Sequence, residues 1–74
     1  MPDSTIGTNS AEAGPAFRAA RRGAGLSVRA LARQSGVDHS TISRWERGER
    51  EISHATYEHL SLALGDYLAG RWAA

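Results

Sequence analysis

Apolar residues recur at helical intervals along the chain, and polar caps and glycines punctuate them. After Ser27, whose hydroxyl can hold a free amide at a helix start, Val28, Leu31 and Ala32 fall on one face until Gly36 closes the helix. Asp38 can cap a second helix with Val37, Ile42 and Trp45 on its inner stripe, ending at Gly48. Upstream, Pro15 suits a first helical turn, and Ala16 to Arg22 extend it until Gly23 and Gly25, with Phe17, Ala20, Ala24 and Leu26 turned to the core. Downstream, Glu49, Arg50 and Glu51 form a charged loop. Ser53 then caps a helix to about Leu64 with Thr56, Tyr57, Leu60, Ala63 and Leu64 as its stripe. Gly65 should break it, and Asp66 should cap a short fifth helix over 66–73 carrying Tyr67, Leu68 and Trp72. The expected fold is all-α, with five helices over 15–74 and a helix-turn-helix proper over 27–48. Residues 1–14, poor in large apolar side chains, should form a disordered tail.

The two central helices should meet closely. Ala32 adds no bulk beyond its methyl group near the turn, so the second helix can cross the first steeply. The outer face of the second helix is then polar: Asp38, His39, Ser40, Thr41, Ser43, Arg44 and Arg47. Each of these residue types can bond to base edges or phosphates.

The residues Leu31, Ala32, Gly36 and Val37 (LAxxxGV), the run STISRWERGER from Ser40 to Arg50, and Ser53, Thr56, Leu60, Ala63 and Leu64 together resemble the helix-turn-helix of phage repressors and Cro, the Xre family. The similarity runs without gaps from about Phe17 to Leu64. It departs at Val28, where the family usually has Gln, and at Ile52, where it usually has Pro. The resemblance implies a five-helix, repressor-like DNA-binding domain, with Gly36, Ala32 and Trp45 as structural positions. It also implies that Arg21 pairs with Glu46, tying the first helix to the recognition helix and aiming the guanidinium at the DNA backbone. The C-terminal helix of the resembling repressors sits at a dimer interface. The apolar Tyr67, Leu68 and Trp72 should therefore meet a second copy rather than fold back on the domain.

Within that frame, residues at the start and middle of the recognition helix should read bases: Asp38, His39, Ser40 and, above all, Arg44, whose guanidinium can bond guanine bidentately. Phosphate contacts are expected from Arg21, Ser27, Thr41 and Arg47 and from the Val28 amide. A symmetric dimer would place two recognition helices about 34 Å apart on a palindromic operator and act as a phage- or plasmid-type repressor.

Charge sharpens this picture. The chain of 74 residues has a net charge of only +1, yet residues 16–50 carry eight arginines against Asp38, Glu46 and Glu49, a net +5, and each flank comes to −2. Positive charge is concentrated where phosphates would be met. So small a chain builds one domain with a marginal core, and without cysteine no disulfide can reinforce it. Neither a membrane-spanning run nor a signal-peptide pattern is visible, so a cytoplasmic location is expected.

Other chemistries are poorly supported. His54, Glu58 and His59 fit no zinc-protease spacing, so no metal or cofactor is expected, and no nucleophile or phosphate loop suggests an enzyme. Two rival readings keep the fold but change the partner: an antitoxin or accessory subunit whose last helix grips another protein, and an interaction module whose DNA face is idle. Against the second, the outer helix face offers no apolar anchor.

Overall fold

The computed structural model describes residues 11–72, which form the helices α1 (Ala13–Gly23), α2 (Val28–Ser35), α3 (His39–Glu46) and α4 (His54–Leu68). No strand occurs among the described residues. Three of the helix starts are written locally. Ser27 Oγ accepts from the Ala30 amide at 3.1 Å, the Asp38 carboxylate from Ser40 at 3.0 Å and Ser53 Oγ from Thr56 at 3.0 Å. Each such cap stabilises its helix by about 1 kcal/mol. Between α2 and α3, Gly36 adopts φ +77° and donates to the Ala32 carbonyl at 2.9 Å, a left-handed conformation that a Cβ would strain.

The core lies where α3 is held from two sides. Leu31, Ile42, Trp45 and Leu60 are wholly inaccessible to solvent, and Phe17, Leu26, Ile52, Ala63 and Leu64 surround them. Burying such a side chain stabilises the fold by about 1.5–3 kcal/mol. Phe17 from α1 leans on Trp45 with ring centroids 5.1 Å apart, and Tyr57 from α4 meets the same indole edge-on at 6.0 Å. Trp45 thus fixes the rotation of α3 about its own axis: turning the helix would pull the indole out from between two rings.

Three features depart from the pattern-based expectation. First, α1 opens at Ala13, two residues before Pro15, so Ala13 and Gly14 belong to the helix rather than to a tail; Met1 to Ser10 lie outside the described residues. Gly14 is there because α1 lies against the end of α3: a Cβ at this position would run into the Trp45 carbonyl, which is backbone and cannot swing aside. Second, Ala20 is exposed, while Ala24 and Leu26 pack inward as expected.

Third, the expected fifth helix over 66–73 is not separate. Gly65 lies inside α4, because the stripe of Leu60, Ala63 and Leu64 continues at helical spacing to half-buried Tyr67 and outweighs the roughly 1 kcal/mol that glycine costs a helix interior. Asp66 is therefore no cap. Its carbonyl accepts from the Arg71 amide at 2.7 Å, and the Tyr67 carbonyl from Gly70 at 3.0 Å, with Gly70 at φ +74°. These bonds close the end of α4. The chain then reverses, and Trp72 Nε1 donates to the Ala63 carbonyl at 2.9 Å while its ring stacks edge-on against Tyr67 at 4.9 Å. Contrary to expectation, Trp72 folds back on its own domain.

Candidate nucleic-acid interface

α2 and α3 are short, each of eight residues, and the three residues between them turn the chain so that α3 presents one whole face outward. On that face His39, Ser40 and Arg44 are exposed, and together with Ser43 and Arg47 they line one open concavity of about 280 Å³. The spacing explains it: positions 39, 40, 43, 44 and 47 recur at helical intervals opposite Ile42 and Trp45. The Arg44 side chain makes no hydrogen bond among the described residues, so its guanidinium donors are free for an incoming acceptor.

The remaining expected residues divide between two places. Asp38 is exposed but lines a neighbouring concavity with His39, Arg29 and Arg33, and its carboxylate is engaged as the α3 cap. Val28, Arg21 and Arg47 converge, with Arg18 and Ser43, on a small cleft between the start of α2 and the end of α3. Ser27, adjacent in the chain, is exposed and caps α2. Thr41 is half-buried and lines neither concavity with them. Ser43, which points into both, and Arg18, which joins Arg47 in the cleft, are additions to the expected set. Periodicity already put Ser43 on the outer face, whereas Arg18 comes from a helix distant in sequence.

Arg21 and Glu46 pair as expected: Nε donates to Oε2 at 2.8 Å and Nη2 to Oε1 at 2.9 Å. A third donor, Nη1, reaches the Leu26 carbonyl at 2.6 Å. With Arg21 7 % exposed and Glu46 2 %, every guanidinium nitrogen has a protein acceptor and the group is turned inward rather than aimed at a DNA backbone. Arg21 is thus the strut between α1 and α3.

One residue beyond Glu46, Arg47 makes a second bidentate pair, with Nε on Glu49 Oε2 at 2.9 Å and Nη2 on Oε1 at 3.1 Å, half exposed on both sides. The hydrogen bonds from Arg47 hold the Glu49 carboxyl below its usual range, against the opposing effect of desolvation, and raise Arg47 further.

The histidines show no metal geometry. His54 Nε2 lies 3.1 Å from Glu58, and no group of three potential ligands gathers among the described residues. Nor is any helix there long and apolar enough to cross a membrane.

Two short helices, a glycine turn and an outward second helix rich in base- and phosphate-bonding groups define a helix-turn-helix DNA-binding domain. The family model of the Cro/C1-type helix-turn-helix matches residues 17–67, more than half of the chain, and the chain belongs to that family. No curated protein and no solved structure matches it. It is a DNA-binding transcriptional regulator of the Cro/C1 type.

Proposed function

We propose that the protein is a repressor that binds a palindromic operator as a homodimer in the cytoplasm, with α3 in the major groove and no catalytic step. The observation that carries this reading is the outer face of α3: His39, Ser40 and Arg44 exposed, with Arg44 unbonded, on a helix whose other face is locked by Trp45. A rigid helix with free donors is suited to reading bases, because its register is set before DNA arrives. Arg44 reads a guanine, His39 and Ser40 read its neighbours, and Asp38 serves first as the cap. Phosphates are met by Arg47, by the Ser27 hydroxyl, by the Val28 amide at the start of α2 and by Thr41 at the flank.

Operators selected from a random pool by wild type and by Arg44→Ala test this. Relaxed preference at one G·C pair per half-site is expected, worth about 1–3 kcal/mol against a wrong base. An unchanged motif bound uniformly more weakly would refute base reading by Arg44.

The dimer surface follows from α4. Leu62 and Leu68 are each 65 % exposed and bracket its outward face of His54, Glu58, Ser61 and Gly65. Tyr67 and Trp72, locked together beside Leu68, form a fixed apolar wall for a second copy rather than inserting into it. Sedimentation of Leu68→Ser should shift the protein towards monomer. A wild type that is monomeric both free and on its operator would exclude the dimer, and co-purification with an unrelated protein would favour the accessory-subunit reading.

A further inference from the structure

α1 and α2 each carry two arginines one helical turn apart on their exposed sides: Arg18 and Arg22 on α1, Arg29 and Arg33 on α2. Like charges at this spacing repel and weaken the helix that bears them. A solvated arginine face is normally relieved by a carboxylate one turn away, yet none of these four side chains makes a hydrogen bond or an ion pair within 4 Å among the described residues. Both pairs are therefore without a bonded counter-charge among the described residues.

Their placement is not random with respect to α3. Arg29 and Arg33 line the concavity at its start, beside Asp38 and His39. Arg18 and Arg22 line the broad concavity of about 550 Å³ at its end, beside Arg47 and Glu49. Between these ends α3 runs for eight residues, about 12 Å at 1.5 Å per residue, which matches the width of the B-DNA major groove. A helix of that length seated in the groove has one sugar-phosphate backbone near each of its ends.

We propose that the two arginine pairs form a two-sided phosphate clamp, Arg29 and Arg33 on one DNA strand and Arg18 and Arg22 on the other, outside the contacts made by α3 itself. The DNA phosphates supply the counter-charge that each pair lacks among the described residues. Such a clamp is indifferent to base identity and fixes how deep α3 sits in the groove. The inference rests on the DNA-binding reading and adds four residues to it.

The test uses the full chain and the operator selected by wild type. The double variants R18Q/R22Q and R29Q/R33Q should each select the same operator sequence. Each should flatten the dependence of log K on log salt by about 1.8 units, for two phosphates at about 0.9 each, while the corresponding double lysine variants retain the slope. Phosphate-ethylation interference on the wild-type complex should mark two patches on opposite strands, and each Gln variant should erase one of them. Melting temperatures of the Gln variants should stay level or rise, since repulsion is relieved. Unchanged slopes on the same operator, or interference confined to one strand, would overturn the clamp. Failure of wild type to select any DNA would instead overturn the DNA-binding reading itself.

Discussion

Two arginine-glutamate pairs meet at the end of α3 through the successive residues Glu46 and Arg47, and they are nearly identical in geometry. Arg21–Glu46 closes at 2.8 and 2.9 Å, Arg47–Glu49 at 2.9 and 3.1 Å, and both are bidentate. Their surroundings differ: the first is almost wholly buried, whereas the side chains of the second are 50 % and 51 % exposed. Equal distances therefore stand for unequal roles. In the interior, removing one partner leaves an unsolvated charge with nowhere to go. At the surface, water replaces either partner, so the contact exchanges readily for another, a DNA phosphate included.

The comparison breaks most visibly at Glu46. Glu46→Ala should destabilise the domain by about 3–5 kcal/mol, close to the whole stability of so small a chain, and leave it largely unfolded by circular dichroism at room temperature. Replacing both partners together, as in Arg21→Met with Glu46→Leu, should recover most of that loss, because packing replaces the pair. A Glu46→Ala variant that melts cooperatively near wild type would remove the distinction. Gly14→Ala probes the same buried seam, since Gly14 rests on the Trp45 carbonyl just before Glu46. It should cost about 1–3 kcal/mol in urea unfolding by forcing α1 off α3; equal stability would show that α1 is free to shift.

The exposed pair should behave in the opposite way. Arg47→Ala is expected to leave the melting temperature unchanged while reducing the salt slope of DNA binding by about one unit, measured by fluorescence anisotropy. A large loss of stability would place Arg47 with Arg21.

The smallest effect is expected at Glu49, which competes with phosphate for Arg47. Glu49→Gln should tighten DNA binding by a factor of about two to five. Glu49's carboxyl is held below its ordinary range, so its ionic contribution to folding and its hold on Arg47 persist above the unfolded value. Both are lost as pH falls through the depressed one. The affinity gap between wild type and Glu49→Gln should close over that acidic window; a gap constant with pH would contradict competition.

How much of this was readable in advance depended on range. Ser27, Asp38 and Ser53 were legible as caps because each bonds to an amide two or three residues away, a chemistry the local sequence contains. Trp45 and Ile42 were legible from period alone. Gly14 was not, since its reason is a carbonyl 31 residues further along. Gly65 and Asp66 looked like a stop and a start, and only the stripe running on to Tyr67 shows why the helix ignored them. The Arg21–Glu46 strut came from the family resemblance and not from spacing. Its inward aim needed the third bond to Leu26, which no sequence pattern announces. The arginine pairs were visible as composition, but their position at the two ends of α3 comes from the turn at Gly36 for Arg29 and Arg33 and from the seating of α1 on α3 for Arg18 and Arg22.

The anchoring of Trp72 also makes the chain its own spectroscopic instrument. Its two indoles report on different places: Trp45 is fully shielded between Phe17 and Tyr57, while Trp72 is half-covered and bonded through its ring nitrogen to the Ala63 carbonyl. On release into water the emission of each should shift to the red, Trp45 with collapse of the whole core and Trp72 with fraying of the last turn alone. Separate Trp45→Phe and Trp72→Phe proteins would then time the two events independently during refolding, and any interval between them would measure how late the C-terminal latch engages.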